Sequence, residues 1–172
     1  MHFPFFLLLF LIVSCSQRVY VVRHAEKQAV LAGATAMEAS DPPLSAAGEL
    51  RALALRDLLR RKQVRHVFAT DYRRTRTTAL PLCEARRLPL RRYSAKKDSL
   101  ASFCKLLHNI RNGSILVVGH SNTVDDLVNA LAGRVALPSD LQDGEYDRLF
   151  ILRRKGKGYA FRASVYGERS LP

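Results

Sequence analysis

The sequence predicts an α/β protein, a three-layer α/β/α fold with a mostly parallel central sheet. Short, β-branched apolar runs alternate with longer stretches of helical periodicity, as in sheets whose strands are joined by crossover helices. The 172 residues suit one domain with a self-sufficient core. Two apolar runs are followed by His24 and His120, and such sheets bind ligands beyond the carboxyl ends of their parallel strands. We therefore expect the two imidazoles to share one crevice.

Turn and capping signals divide the chain into ten elements. Ser45 is a suitable N-cap with Glu49 as its capping partner, and Asp98 or Ser99 is expected to cap the third helix. Residues 33–43, rich in Ala, Gly and Pro, are predicted to be a loop. The predicted strands are residues 17–23, 64–69, 88–93, 114–119, 146–154 and 159–165, and the predicted helices are residues 45–62, 72–87, 98–112 and 123–133.

The N-terminal residues are predicted to lie outside this domain. Residues 3–13 are almost wholly apolar, are too short to span a bilayer as a helix, and are followed by small residues, as in an export signal. Residues 12–15 resemble the lipobox of bacterial lipoproteins, which implies a signal peptide at 1–14 and an exported domain at 15–172. The protein would then be lipidated at Cys15 and anchored to a membrane, facing the periplasm. An uncleaved anchor or a buried N-terminal strand is the alternative.

Charge and cysteine content limit the partners. Lys and Arg total 28 against 15 Asp and Glu, which gives a formal charge of +13. We therefore expect anionic binding partners, either phosphorylated substrates or an anionic membrane surface. No nucleic acid is expected, because aromatic residues are sparse and do not interleave with the basic ones. Cys83 and Cys104 lie in helical stretches and are predicted to be small core residues, although their pairing is left open. No Cys or His cluster has metal-ligand spacing.

Three junctions after strands carry side chains suited to phosphoryl chemistry. At the first, the imidazole of His24 could attack phosphorus while the guanidinium of Arg23 grips two phosphoryl oxygens. At the second, Arg74 lies where free backbone N–H groups and the helix dipole also favour an anion. At the third, Gly119 permits close backbone approach before His120, and Asn122 can donate from its amide to a substrate.

These junctions resemble the motifs of the histidine phosphatase superfamily, also called phosphoglycerate mutase-like. The resemblance covers nearly all of the chain beyond the N-terminal segment, and its motifs occur in the family's order. The matching segments are VVRHAEK (21–27), LSAAG (44–48), FATDYRRTRTTA (68–79) and VVGHSNT (117–123).

The resemblance implies a two-step phosphatase that needs no metal and no cofactor. His24 would attack a phosphomonoester or phosphoprotein to form a phosphohistidine, Arg23, Arg74 and His120 would hold the equatorial oxygens, and water would release phosphate. Two other functions remain as alternatives: a non-catalytic, membrane-tethered module that binds polyanions, and a phosphomutase.

The proton donor to the leaving group is left open by the sequence. Glu26, Asp71 and Asp98 are candidates, each also explained as a surface or capping carboxylate. His66 and His108 are predicted to have structural roles.

Overall fold

In the computed structural model, which describes residues 17–170, six strands form one sheet in the order β3-β2-β4-β1-β5-β6. The elements are β1 (Arg18–Arg23), α1 (Ala36–Ser40), α2 (Ala46–Leu59), β2 (Val64–Ala69), α3 (Arg73–Arg86), β3 (Leu90–Arg92), α4 (Lys97–Asn109), β4 (Ser114–Gly119), α5 (Ser121–Ala132), β5 (Arg148–Lys155) and β6 (Gly158–Val165).

The sheet is mostly parallel and is covered on both faces, so the predicted fold class is confirmed. Strands β3, β2, β4 and β1 run parallel, whereas β5 pairs antiparallel with β1, and β6 with β5. Helices α2 and α3 pack on one face through Leu55, Leu59 and Leu82. Helices α4 and α5 pack on the other through Phe103 and Leu127.

The core is centred on β1 and β4, which are buried on both faces. Val19 and Val21 join the cluster beneath α4 and α5, whereas Val22 joins the opposite one. All three side chains are fully buried, and each contributes about 1.5–3 kcal/mol relative to exposure. A slip of one residue would exchange the two faces, so burial fixes the register of this pair.

Most predicted elements agree with the structure, but three local predictions are wrong. The predicted loop contains α1, which begins after Thr35 with a capping box formed by Glu38. Helix α4 begins after Lys96, and the Asp98 carboxylate accepts from Ser99 Oγ instead of capping the helix. Ser45 does cap α2, accepting from Gly48 N at 3.2 Å, but within residues 17–170 the Glu49 side chain makes no reciprocal bond.

The two described cysteines lie on opposite faces of the sheet and are free thiols. Cys83 is buried in the cluster beneath α3, and Cys104 packs against the cluster beneath α4. Burial raises the pKa of Cys83 to about 11 and also raises that of Cys104. The prediction of a small core residue is confirmed for Cys83, whereas Cys104 is only partly buried. The sheet between the two thiols prevents a disulfide.

The predicted signal peptide and Cys15 lie outside the described residues. Within residues 17–170, none of the helices is both long enough and apolar enough to cross a bilayer.

Replacing Gly48 with Ala should destabilise the protein. Gly48 is buried in the first turn of α2, and a Cβ at this position would overlap the backbone carbonyl of Glu26. To relieve that overlap, either α2 or the loop after β1 must move, which should lower the free energy of unfolding by about 1–3 kcal/mol. Urea unfolding measures the loss, with Gly158→Ala as the control because its Cβ would meet open space. Equal stability of the two variants would contradict this explanation of Gly48.

Candidate active site

The parallel pairing of β1 with β4 places the two histidines side by side. Arg23 is in register with Gly119, and His24 N donates to Gly119 O at 2.9 Å, so each histidine follows the end of its strand at the same edge. The imidazole centroids of His24 and His120 are 5.5 Å apart. Both line a cleft of about 730 Å³, as do the other three predicted site residues, Arg23, Arg74 and Asn122.

Arg23 is held rigidly although it is almost completely buried. Its side chain donates to the carbonyls of Gln142 and Asp143 at 2.8 and 2.9 Å. The guanidinium also lies 4.1 Å from the ring centroid of Tyr146. Burial lowers the Arg23 pKa, and these partners offset much of the cost of placing a charge there. Sequence reasoning missed Tyr146 and Asp143 because nothing local connects them with Arg23.

Hydrogen bonding fixes which nitrogen of His24 is available. Nδ1 is 2.8 Å from the carbonyl oxygen of Ala25, and since a carbonyl can only accept, Nδ1 carries the proton. The lone pair of the neutral ring is therefore on Nε2. Burial, together with the charges of Arg23 and Arg74, lowers the His24 pKa to about 3. Burial is the larger of these causes.

A directed chain of hydroxyl groups orients His120 in the opposite tautomer. The Thr75 hydroxyl donates to the carbonyl of Tyr72 at 2.7 Å, so it can only accept from Thr70 Oγ1, 2.9 Å away. The Thr70 proton is thereby used, and His120 Nε2, 2.9 Å from Thr70 Oγ1, must be the donor. Neutral His120 thus has its lone pair on Nδ1. Burial and the nearby arginines lower its pKa to about 4.

Arg74, at the start of α3, has an acidic and an aromatic neighbour. It lies 3.3 Å from a carboxylate oxygen of Asp41, and its guanidinium is 4.3 Å from the Tyr72 ring centroid. The predicted helix N-terminus is not fully free, because Asp41 already accepts from Arg73 N, the first backbone N–H of α3, at 2.8 Å. The Nε atoms of Arg23 and Arg74 are buried and have no hydrogen-bond partner within residues 17–170, so both can donate to an anion.

Asn122 lies at the rim of the cleft. It is exposed, and its backbone departs from helical geometry in the first turn of α5 (φ −93°, ψ 15°). This placement leaves its amide accessible to a ligand in the cleft.

The structure separates the candidate proton donors. Glu26 forms a 2.6 Å ion pair with the buried Arg51, and neither Glu26 nor Asp98 is among the residues lining the cleft. Asp71 does line it, with a largely exposed side chain 3.1 Å from Arg92. Asp143 lines the cleft as well, a residue that sequence reasoning missed because it comes from the loop before β5.

The other two described histidines are remote from the cleft, as predicted. His66 Nε2 is 3.0 Å from the carbonyl oxygen of Asn112, and His108 Nε2 is 2.7 Å from that of Lys157. Among residues 17–170, no group of three or more His, Cys, Asp or Glu side chains could hold a metal ion.

The geometry agrees with comparisons to known proteins. Residues 19–98 match the family model described as histidine phosphatase superfamily (branch 1), which supports that superfamily for this chain. The matched segment contains the Arg23, His24 and Arg74 motifs, whereas the His120 motif lies beyond it. No curated protein matches the sequence significantly.

Solved structures share the fold over nearly their whole length. SixA from Agrobacterium tumefaciens, a proposed phosphohistidine phosphatase, is 21% identical, with a TM-score of 0.63 over 90% of this chain and 99% of its own. The protein histidine phosphatase SixA complexed with tungstate is 16% identical, with a TM-score of 0.67 over 87% and 97%. Mycobacterial glucosyl-3-phosphoglycerate phosphatase with inorganic phosphate is 16% identical, with a TM-score of 0.63 over 88% and 97%.

The lowered pKa of His24 should make the protein lose stability in mild acid. Below the ordinary histidine pKa of 6.5, the unfolded chain takes up a proton that the folded site refuses, so stability falls as pH falls from 6.5 towards 3. By pH 5 this amounts to about 2 kcal/mol for His24. Urea unfolding at pH 7.5 and pH 5 should show a smaller loss in His24→Gln than in wild type. Equal losses would contradict a neutral, buried His24, and His108→Gln is the control.

Proposed function

We propose that this protein is a phosphatase that hydrolyses a phosphomonoester or phosphoprotein through a phosphohistidine on His24. The observation that carries the proposal is the state of His24: a neutral ring with its lone pair on Nε2, in a cleft shared with Arg23, Arg74 and His120. The superfamily match and the phosphatase names of the solved neighbours support it.

The first step is an in-line attack. His24 Nε2 forms a bond to phosphorus while the bond to the leaving oxygen breaks, and Arg23 and Arg74 donate to equatorial oxygens. His120 donates to the third oxygen when its Nε2–H exchanges Thr70 Oγ1 for the phosphoryl group. The leaving oxygen takes a proton, for which Asp143 and Asp71 are the carboxylates positioned in the cleft. In the second step water attacks phosphorus, the N–P bond breaks, and phosphate leaves. The fixed guanidinium groups supply the positive charge that stabilises both transition states.

A binding module for polyanions explains the site less well. Such a module needs only exposed cations, whose interaction with anions is long-ranged and tolerant of geometry. Here Arg23 and His24 are each only 4% exposed, and desolvating them costs free energy that binding alone does not require. Their burial is explained if the site must match one phosphoryl group.

Hydrolysis fits the cleft better than phosphomutase activity. A mutase must keep water from the phosphohistidine until the phosphoryl group returns to the substrate. The rim of this cleft includes the exposed side chains of Lys27, Lys96 and Asn122. Solvent at the rim favours discharge of the enzyme by water.

Replacing His24 with Ala should abolish hydrolysis of p-nitrophenyl phosphate in the presence of EDTA. Loss of the nucleophile removes the covalent route, so we expect kcat/KM to fall by at least about 10³-fold. Quenching during turnover with detergent at alkaline pH, where the N–P bond is stable, should trap a phosphohistidine in wild type and none in the variant. His66→Ala is the control, because His66 bonds to Asn112 away from the cleft. Unchanged hydrolysis by the His24 variant would leave anion binding as the function.

We propose also that the protein is exported and attached to a membrane through Cys15, on the basis of the apolar residues 3–13 and the lipobox-like residues that follow. Cells grown with labelled palmitate should label the wild-type protein and leave Cys15→Ala unlabelled. The matched control is Cys104→Ala, since that thiol lies in the folded domain. Equal labelling of the wild type and Cys15→Ala would contradict the proposed lipidation.

A further inference from the structure

The two faces of the β5–β6 ribbon are covered differently. One face packs against α5, with Phe150 and Leu152 in the core. On the other face, beside the end of α2, lies a groove of about 600 Å³, whose partly exposed apolar residues include Leu58 and Ile151. We call it the basic groove because its rim contains Arg18, Lys62, Arg153 and Arg162.

The positive charge of the basic groove is uncompensated. No Asp or Glu is among its lining residues, and within residues 17–170 none of its four cationic side chains forms an ion pair. Arg18 and Arg153 are cross-strand partners, an arrangement in which like charges repel. Arg162 pairs with Ile151 on the next row of the same face. An anionic partner would relieve this repulsion, and the apolar floor indicates one that also has apolar atoms.

The chain leading into the groove identifies that partner. β1 begins at Arg18, a residue of the groove itself, and only residues 14–17 separate it from the apolar run at 3–13. Four residues span at most about 14 Å. If residues 3–13 or a lipid on Cys15 enter a bilayer, the basic groove is held within that distance of the lipid headgroups.

We propose that the basic groove is the membrane-docking face of this protein and binds the headgroups of anionic phospholipids. Basic side chains beside an apolar floor suit the interface of an anionic leaflet, where each Lys or Arg adds about fivefold to the binding constant. This proposal rests on the proposed membrane attachment of the N-terminal segment; it concerns a surface remote from the cleft and does not depend on the reaction at His24.

Docking through this groove directs the cleft away from the lipid. β1 carries the groove at its first residue, Arg18, and the candidate active site at its last, Arg23. Those ends are about 17 Å apart along a six-residue strand. The cleft would then open toward soluble substrates, including phosphoproteins.

The test is binding of the full-length chain to vesicles of phosphatidylcholine alone and of phosphatidylcholine with 30% phosphatidylglycerol. Any apolar insertion contributes to both, so the ratio between them isolates headgroup recognition. We expect Arg153→Glu with Arg162→Glu to lower the binding constant for the anionic vesicles about 30-fold or more, from two lost cations. Lys97→Glu with Lys105→Glu makes the same charge change on exposed positions of α4, across the sheet, and should have a much smaller effect.

Hydrogen exchange provides a second readout that a tightly inserted N-terminus does not mask. Anionic vesicles should slow exchange of the β6 amides (Gly158–Val165) and leave α4 unchanged. Circular dichroism and urea unfolding without vesicles check the folding of each variant. If the charge-reversed variant unfolds, Arg153→Gln with Arg162→Gln takes its place. The proposal would be overturned if the groove and α4 variants bound anionic vesicles equally weakly, or if the wild type bound both kinds of vesicle equally well. Binding of the protein to polyglutamate without a preference for phosphatidylglycerol vesicles would also overturn it.

Discussion

The parallel pairing of β1 with β4 is the contact on which the site depends. Five consecutive residue pairs, ending at Arg23 and Gly119, bring two segments almost a hundred residues apart to the same edge of the sheet. Because both strands are buried on both faces, a change of register would place the wrong side chains in two cores at once. Gly119 tightens the constraint, since a Cβ there would come within 2.9 Å of the Tyr93 hydroxyl.

Buried cations at this edge are stabilised by carbonyls and aromatic rings more than by carboxylates. Arg23 is held by two carbonyls and the Tyr146 ring, so its position is fixed without a full opposing charge. Arg74 has the Tyr72 ring and one carboxylate, Asp41. A carboxylate on each arginine would neutralise the field that a phosphoryl group needs, whereas carbonyls and ring faces preserve it. The same field contributes to keeping His24 neutral.

The sequence was sufficient where local pattern and burial agree. The bounds of β2 and β4 were predicted correctly because short β-branched runs between turn residues have few alternatives. The convergence of His24 and His120 followed from the rule for parallel strands. Helix α1 was missed because its capping box, formed by Thr35 and Glu38, lies in a segment whose composition favours a loop.

Other features were beyond local reasoning because they join distant segments. Arg51 binds Glu26 and also donates to the carbonyls of Tyr166 and Glu168, so it ties α2 to the loop after β1 and to the C-terminal residues. Nothing near Arg51 in the sequence distinguishes it from the many exposed arginines.

The arginine of the cleft and those of the basic groove differ in how firmly they are held, and this difference separates two kinds of anion recognition. Hydrogen bonds fix Arg23 in one orientation, which suits a small tetrahedral ion that must be placed to a fraction of an ångström for reaction. Arg153 and Arg162 are exposed, with no such bonds from their side chains within residues 17–170, and so retain their rotamer freedom. Mobile cations gain little from a single small anion, because ordering them costs entropy, but they can follow a dense and fluid array of headgroups. The same residue type thus suits the proposed reaction at one edge of the sheet and the proposed adhesion at the other.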